Sequence, residues 1–508
     1  MKSNKLFYSL VLAFALTGCI NDEDVTVTDG STDSSTSVSN LRVAFAVPNT
    51  SNGTRATAED SGEYEEGTAD EYRVNNVTLY LFDSDSKNLE TTISIASTDL
   101  GAAVSDGTNI TYSCDKEIIL DPGTYDILAI ANSTGTLSVG SESTLLGQID
   151  ATTYGTGLIS SIPDNGFVMT NRGSANQSVT VEAVEAGGTA TSATIRLERT
   201  IAKLMLRNAA NEYYTLTNTA GETYATVRLN NYKFVNLANK FYTFRHVATL
   251  SDAEETPSAP SSYTIDGGNF GNIADVNGYL IDPYFFDKTV AGATTSFSGG
   301  TFYTNHLSQQ GDSDWSGLAT AGTYVAAYCL ENCMFRPAQN TVYTTGIMLK
   351  GTLTPSYSQT INGSTGEALT SEAEVLTYNT LYYFNYKFYT SLAGVGEYGD
   401  ANIDGLTVNS TDDELAAKQI LRFTKSGGNF STFYNYWIKH LDNNDAASMG
   451  VMEFGIVRNN IYSVNITSIS SLGPGTPEIG PNPDENKGYL NVEFGVYPWI
   501  VRDQNADL

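Results

Sequence analysis

The amino-acid sequence predicts a mainly β protein with two β-sandwich domains and few short helices. Period-two alternation of apolar and polar residues recurs along the 508 residues, in runs bounded by Gly, Asn, Asp and Thr. These runs are rich in β-branched and aromatic residues, whereas helical stripes of apolar residues are scarce. With 41% hydrophobic and 17% charged residues, the chain has the composition of a folded protein and the length for two cores. Two sandwiches follow as the natural architecture.

Residues 1–18 have the pattern of a lipoprotein signal peptide. Two basic residues precede the apolar run Leu6–Leu16, and Leu16-Thr17-Gly18-Cys19 matches the site of cleavage and lipid attachment. The apolar run is shorter than the roughly 20 residues that span a bilayer. We therefore expect Cys19 to be the lipid anchor, followed in residues 19–55 by a polar tether, a strand and a stretch that ends at the basic Arg55.

Residues 56–207 are predicted to form the N-terminal sandwich, and the polar region from 208 to 223 marks its end. A β-hairpin is expected around Asp121-Pro122-Gly123, and the longest regular strand is expected over Thr194–Leu206. The strands predicted up to this point are Leu41–Val47, Val77–Phe82, Lys116–Leu120, Tyr125–Ala131 and Thr194–Leu206.

Residues 208–470 are predicted to form the C-terminal sandwich, with more aromatic residues. The best helix candidate is Asp413–Phe423, capped by Asp412 or Asp413. The predicted strands are Val227–Leu237, Tyr279–Phe286, Thr323–Leu330, Ile347–Leu353, Leu381–Tyr389 and Arg458–Ile469.

A Gly/Pro linker at 471–488 precedes a last strand within residues 489–508. The linker composition predicts a stiff spacer that holds the last strand away from the body. In that strand, the apolar residues Leu490, Val492, Phe494 and Val496 alternate with polar or small ones.

The acidity of the chain excludes some partners. A net charge of −30, with no cluster of Lys and Arg, argues against binding to nucleic acid or anionic lipid. Besides Cys19 there are three cysteines, Cys114, Cys329 and Cys333, which favours buried free thiols. A bridge between Cys329 and Cys333 would require a turn, because residues four apart on a strand lie about 13 Å apart.

The sequence predicts no enzyme activity and no cofactor. The histidines at positions 246, 306 and 440 lack metal-ligand spacing, and no phosphate-binding loop or nucleophile elbow is present. Asp400, Asn402 and Asp404, followed by Gly405, resemble the start of a calcium loop. The twelfth position is Thr411 rather than Glu, so a simple polar loop is favoured and no metal is predicted.

A group of aromatic residues offers a second weak candidate site. Phe430, Tyr434, Tyr436 and Trp437 lie close together in sequence. Faces of Tyr and Trp stack on sugars, but at strand spacing such residues are more often core and cross-strand pairs. The core interpretation is favoured, and a glycan platform is the alternative.

The order of several strand segments resembles the Bacteroidales fimbrillins, the type V pilins, and is most similar to shaft subunits of short fimbriae. The segments that carry the resemblance are Leu197–Lys203, Ala327–Asn332, Ile347–Pro355, Phe433–Ile438, Val457–Ile466 and Val492–Trp499. The resemblance implies transthyretin-like sandwiches in a subunit exported to the outer membrane as a lipoprotein precursor. It also implies that a trypsin-like surface protease cuts between Arg55 and Ala56.

Physical chemistry makes such processing plausible. Removing the strand that carries Leu41, Val43, Phe45 and Val47 would expose unpaired backbone groups and apolar pockets. A strand of another chain could bind there. Four buried side chains contribute about 6 to 12 kcal/mol as an upper bound. The donor is expected to be the strand with Leu490, although an ordinary last strand paired within its own domain is the alternative.

The sequence therefore predicts a fimbrial shaft subunit that polymerises head to tail by donor-strand exchange. Its expected partners are other copies of itself, anchor and tip subunits, the processing protease, and host or bacterial adhesion partners. The rival functions are a fimbrial anchor or tip subunit, and a surface glycan-binding lipoprotein.

Overall fold

The computed structural model describes the greater part of residues 39–498. The described residues are 39–48, 68–105, 109–135, 137–150, 153–154, 158–171, 178–183, 190–208, 213–245, 247–248, 279–280, 303–304, 315–318, 324–334, 336, 339–440, 443, 445–450, 452–477, 483 and 490–498. The predicted signal peptide, Cys19, Arg55 and Ala56 lie outside them. The fold is mainly β, as predicted.

The first half of the described chain contains sixteen strands and one helix. In chain order the strands are β1 (Ser39–Pro48), β2 (Val77–Asp83), β3 (Leu89–Ile95), β4 (Val104–Ser105), β5 (Asn109–Ser113), β6 (Ile118–Leu120), β7 (Gly123–Ala131), β8 (Ile149–Asp150), β9 (Leu158–Ile159), β10 (Met169–Thr170), β11 (Ser178–Val181), β12 (Thr191–Arg196), β13 (Glu198–Arg199), β14 (Ile201–Asn208), β15 (Tyr214–Thr217) and β16 (Thr223–Val235). Helix α1 spans Glu142–Leu146.

The second half adds fifteen strands and three helices. The strands are β17 (Leu237–Ala238), β18 (Phe241–Tyr242), β19 (Val247–Ala248), β20 (Tyr279–Leu280), β21 (Tyr303–Thr304), β22 (Ser316–Gly317), β23 (Tyr324–Leu330), β24 (Gly346–Pro355), β25 (Thr360–Ile361), β26 (Thr380–Phe384), β27 (Lys387–Tyr389), β28 (Leu421–Thr424), β29 (Phe430–Trp437), β30 (Asn460–Ile469) and β31 (Leu490–Pro498). The helices are α2 (Glu372–Val375), α3 (Leu392–Gly399) and α4 (Asp412–Ala416).

Two sheets share the first hydrophobic core. One has the strand order β12-β1-β5-β4, with β6 also paired to β1, and the other has the order β13-β10-β7-β2-β3, with β11 paired to β7. Buried residues of both sheets, including Leu79 of β2 and Ile195 of β12, belong to one cluster. The first described strand, β1, is thus an interior strand of a sandwich.

Two further sheets share the second core. Their strand orders are β31-β30-β14-β23-β9 and β15-β16-β24-β29, with β22 paired to β16. Leu204 of β14, Val227 of β16 and Tyr434 of β29 belong to one buried cluster. A third cluster joins side chains of both halves, among them Tyr80 of β2 and Met205 of β14. Packing is therefore continuous from the first sandwich to the second.

A small module is inserted between β24 and β29, which pair with each other in antiparallel fashion. It carries the three helices α2 to α4 and its own sheet, in the order β25-β27-β26-β28. Tyr382, Val395 and Leu415 belong to its own cluster, whereas Leu381 and Phe423 belong to the second core. One face of this module's sheet therefore packs on the main body.

The prediction of one long strand over Thr194–Leu206 was wrong. The segment divides into β12, β13 and β14, and each of these strands lies in a different sheet. Thr200 separates β13 from β14. Its amide and its hydroxyl both donate to the carbonyl oxygen of Val168, at 3.1 Å each. Because β14 pairs with β23 and β30, it belongs to the second sandwich, although its residues 201–207 fall within the predicted N-terminal domain. The predicted domain division stays a prediction.

The helix prediction was partly wrong as well. Helix α4 spans only Asp412–Ala416, and its cap is Thr411, whose hydroxyl accepts from the amide of Glu414 at 3.2 Å. The Glu414 carboxylate accepts from the amide of Thr411 in return, at 2.8 Å, which completes a capping box. Gln419 has a φ of 61° after the helix, and Leu421–Thr424 then forms β28.

Candidate functional site

The first strand occupies the middle of its sheet. Strand β1 runs parallel to β12 over residues 41–46, and antiparallel to β5 over residues 44–48 and to β6 over residues 39–41. The amide of Leu197 adds a hydrogen bond of 2.8 Å to the carbonyl oxygen of Ala46. Both edges of the strand are thus occupied by backbone partners.

The side chains of β1 fill the core of the first sandwich. Leu41, Phe45 and Val47 are fully buried, and Val43 is 4% exposed. Arg42, between them, is exposed, and Ala44 is half-buried. At about 1.5 to 3 kcal/mol per large buried side chain, these four contribute about 6 to 12 kcal/mol to holding the strand, as an upper bound.

Taking β1 out would therefore leave a groove of a defined shape. Its walls would be the unpaired backbone edges of β12 on one side and of β5 and β6 on the other. Its floor would be the apolar pockets of the first core. Buried backbone groups without partners are costly, so an empty groove would strongly favour a replacement strand.

The last strand lies at the edge of its sheet. Strand β31 pairs antiparallel with β30 from Pro498 opposite Asn460 to Leu490 opposite Ile469, with a register shift between Ile466 and Ser468. Val492 is partly buried against the second core. The predicted alternative, pairing within its own domain, is thus the arrangement in this structure, and the exchange of this strand between subunits stays a prediction.

The two strands share a residue pattern that the sequence analysis missed. Leu41-x-Val43-x-Phe45-x-Val47 in β1 and Leu490-x-Val492-x-Phe494-x-Val496 in β31 carry the same residues at all four alternating positions. The pattern also runs in the same chain direction in both strands. A direct comparison of the two segments would have found this signal.

The described chain resumes at Thr68, after the predicted cleavage site, and is held there by a buried polar cluster. Glu71 is 1% exposed, and its Oε1 lies 2.9 Å from Nζ of Lys203 and accepts from the hydroxyl of Tyr328 at 2.7 Å. Burial alone would raise the pKa of Glu71, but the charge of Lys203 and the hydrogen bonds to its carboxylate lower it.

Arg199 extends this cluster. Its Nε donates to the carbonyl oxygen of Glu71 at 2.7 Å, and its Nη1 donates to Oδ1 of Asn459 at 3.0 Å. The guanidinium is fully buried, which lowers the pKa of Arg199 to about 10 despite the charge of Glu71 nearby. The cluster therefore joins the segment before β2 to the sheet of β14, β23 and β30.

Further buried ion pairs surround the junction of the two halves. Arg458 donates from Nε to Oε2 of Glu331 at 2.7 Å and from Nη2 to the carbonyl oxygen of Tyr242 at 2.6 Å. Arg245 pairs with Glu198 at 2.5 Å. Removing one partner of such a pair leaves an uncompensated buried charge, which destabilises the fold.

The loop that resembles a calcium site, with Asp400, Asn402 and Asp404, has a structural role. Asp400 ends helix α3 in the left-handed region, with a φ of 55°, and Oδ1 of Asn402 accepts from the amide of Asp404 at 3.0 Å. Thr411, at the twelfth position of the calcium pattern, caps α4. Across the part of the chain that the structure describes, no three His, Cys, Asp or Glu residues lie together in a metal-binding arrangement.

The remaining candidates lie in the core. Phe430 and Tyr434 are buried in the second core, and Tyr436 and Trp437 are half-buried. Cys114, Cys329 and Cys333 are buried free thiols, as the sequence favoured. His440, also buried, faces the hydroxyl of Tyr462 through Nδ1 at 2.6 Å, and burial lowers its pKa to about 3. His246 and His306 lie outside the described residues.

No described helix has the length and apolar character needed to cross a membrane.

Three solved structures are similar to the chain over nearly its whole length. A fimbrilin (FimA) from Porphyromonas gingivalis W83 is 15% identical, with 92% of this chain and 99% of that chain covered and a TM-score of 0.39. A putative cell adhesion protein from Parabacteroides distasonis ATCC 8503 is 14% identical, with coverage of 90% and 97% and a TM-score of 0.43. The tip fimbrial protein Mfa3 from Porphyromonas gingivalis is 12% identical, with coverage of 91% and 100% and a TM-score of 0.35. No curated protein matches the sequence.

Two protein-family models match the sequence. The model "Major fimbrial subunit protein type IV, Fimbrillin, C-terminal" matches residues 428–505. The model "Fimbrillin-A associated anchor proteins Mfa1 and Mfa2" matches residues 31–350, which is more than half of the 508 residues. The chain therefore belongs to the fimbrillins, in the family of fimbrillin-A associated anchor proteins Mfa1 and Mfa2.

Proposed function

We propose that the chain is the structural subunit of a surface fimbrium that polymerises by donor-strand exchange. In this proposal the subunit is exported as a lipoprotein with lipid on Cys19 and is then cut between Arg55 and Ala56. Strand β1 leaves, and the β31 segment of a neighbouring copy takes its place. The resulting filament serves adhesion and colonisation.

The observation that carries the proposal is the match between β1 and β31. A replacement strand must fill the pockets of Leu41, Val43, Phe45 and Val47, and the last strand offers the same four residues at the same spacing. The positions between them are compatible too. In this register Asn491 and Glu493 take the places of exposed Arg42 and half-buried Ala44, and Gly495 takes the place of buried Ala46.

The exchange is favourable for the donor strand. Among the described strands of its own subunit β31 pairs with β30 alone, whereas the place of β1 offers partners on both sides. Main-chain pairing gives affinity in such strand addition, and the pockets for alternate side chains give the register. Because the donor and the groove are different surfaces, each contact is head to tail and propagates into a filament.

A fimbrial anchor is the second candidate, because the family model over residues 31–350 is described by anchor proteins. An anchor would keep its lipid and its first strand. The glycan-binding alternative lacks comparable support, because two of its four aromatic residues are buried in the core.

Treatment of the purified precursor with a trypsin-like protease tests the proposal. We expect a new N-terminus at Ala56 and filaments that survive mild denaturant, and we expect excess synthetic peptide of residues 490–498 to block their growth. Phe494→Asp should abolish filaments, whereas the matched control Glu493→Gln should not. Surface filaments whose subunits still begin at a lipidated Cys19 would contradict the proposal and favour the anchor function.

A further inference from the structure

The chain between β30 and β31 begins with a tightly packed segment. Leu472 is 2% exposed and belongs to the second core, although it lies at the start of the predicted Gly/Pro linker. The carbonyl oxygen of Gly473 accepts from the hydroxyl of Thr432 at 3.0 Å, and that of Pro474 accepts from the amide of Phe433, also at 3.0 Å. The first part of the linker is therefore bound to β29.

Two positions in this segment require glycine, because the backbone of neighbouring strands lies where a side chain would be. A Cβ at Gly473 would collide with the carbonyl oxygen of Phe433 in β29, and a Cβ at Gly475 would collide with that of Arg422 in β28. Neither glycine is among the residues with positive φ. Their role is thus to let the segment lie flat against two strands, rather than to make it flexible.

A side-chain clamp lies at the end of the packed segment. The hydroxyl of Thr476 donates to Oδ2 of Asp412 at 2.8 Å, and Oδ1 of Asp412 lies 2.6 Å from Nη2 of Arg422. Nη1 of Arg422 in turn donates to the carbonyl oxygen of Ser410 at 2.9 Å. The inserted module, through β28 and α4, therefore holds the segment at Thr476.

We propose that Leu472–Thr476 is a fixed root of the C-terminal arm, so that the inserted module sets the point from which the donor strand leaves the subunit. The proposal rests on the proposed function, and it assigns to the module a role in positioning the donor. The arm then pivots at Pro477, which is exposed, as is Thr476.

The root shortens the reach of the arm. From Pro477 to Leu490 there are 13 residue steps, which span at most about 43 to 47 Å at about 3.3 to 3.6 Å per residue. If the root were released back to the end of β30 at Ile469, there would be 21 steps and a reach of about 69 to 76 Å. A longer free arm is less pre-organised, so binding to the neighbour's groove costs it more conformational entropy.

A donor–acceptor assay tests the root. Uncut precursor serves only as a donor because β1 fills its groove, and cut Phe494→Asp subunit serves only as an acceptor. We expect Gly475→Ala and Thr476→Val precursors to form the heterodimer at least fivefold more slowly than wild type. Gly140→Ala, where a Cβ meets open space, and Thr476→Ser, which keeps the hydroxyl, should behave as wild type.

The binding of labelled peptide 490–498 to the cut variants separates donor from acceptor defects. The affinity for the peptide should be unchanged, because Leu472 of the root belongs to the second core, whereas the groove residues belong to the first core. If both Gly475→Ala and Thr476→Val form the heterodimer at the wild-type rate, the proposed role of the root is wrong, whereas the proposed function is unaffected. If wild-type precursor forms no heterodimer at all, both proposals fail.

Discussion

Phe45 and Ile195 lie opposite each other where β1 runs parallel to β12, and both side chains are buried in the first core. On its other side Phe45 is in register with Tyr112 of β5. The segment proposed to be removed during maturation is therefore an interior part of the sandwich, and its removal changes the stability of the subunit as well as its surface.

Truncating the side chain of Phe45 should weaken the packing of β1 in the first sandwich. We expect Phe45→Ala to lower the free energy of unfolding of the precursor by about 3 to 5 kcal/mol, since it removes a fully buried aromatic ring and leaves a cavity. Urea denaturation of the precursor measures the change. Arg42→Ala, in the same strand but exposed, is the control and should change stability by less than about 0.5 kcal/mol. Equal effects of the two substitutions would contradict the placement of β1.

The Glu71 cluster predicts a dependence of stability on pH. Because the pKa of Glu71 is lower in the folded protein than its ordinary value of 4.5, the carboxylate stabilises the fold above that value. The contribution is lost as the pH falls through the folded pKa. We expect Glu71→Gln to cost about 3 to 5 kcal/mol at pH 7, because it leaves Lys203 buried without its partner.

Thermal unfolding at pH 7 and at pH 3 checks this prediction. The difference between wild type and Glu71→Gln should narrow at the lower pH. Glu90→Gln, at an exposed position of β3, should leave the melting temperature nearly unchanged at both. A difference that is the same at both pH values would show that the carboxylate charge has no part in it.

The cysteines should be inert in the folded protein. Burial raises the pKa of Cys329 and of Cys114, and the thiol of Cys333 donates to the carbonyl oxygen of Ile456 at 3.0 Å. In a chain that begins at Ala56, a thiol reagent at pH 8 should label no cysteine in the native state and three in denaturant. Detection of a Cys329–Cys333 disulfide by mass spectrometry would refute the assignment of free thiols.

The sequence predicted those features that depend on short-range pattern. Alternation placed β1 and β31 correctly to within a few residues, because period-two burial is a local property. The alternation did not predict the interruption at Thr200, because consecutive parts of one apolar run pair in three different sheets. The ion pair between Glu71 and Lys203 could not be predicted from local pattern, since the two residues are far apart along the chain.

The composition predicted a spacer at Gly473 and Gly475, but both glycines pack closely against neighbouring strands. A Gly/Pro stretch is typical both of a spacer and of a backbone that packs closely against its neighbours, and the sequence does not distinguish the two. The contacts with Phe433 and Arg422 decide in favour of close packing for this segment. The helix prediction failed for a related reason, since the strand pairing of Leu421–Thr424 with β26 overrides the helical pattern.

Cysteine cross-linking between subunits tests the central claim most directly. If β31 replaces β1 in register, residue 493 of one subunit takes the place of Ala44, which lies opposite Ser113 of β5. Antiparallel neighbours have Cα atoms about 4.5 to 5.5 Å apart, which suits a disulfide. Within its own subunit, residue 493 instead lies opposite Asn465.

Filaments of cut Ser113→Cys/Glu493→Cys subunits should therefore give a covalent ladder on mild oxidation, whereas Ser113→Cys/Asn491→Cys filaments, offset by two residues, should not. Asn465→Cys/Glu493→Cys should close an internal bridge in the precursor and none in the filament. A filament that forms the 465–493 bridge and lacks the 113–493 ladder would contradict donor-strand exchange.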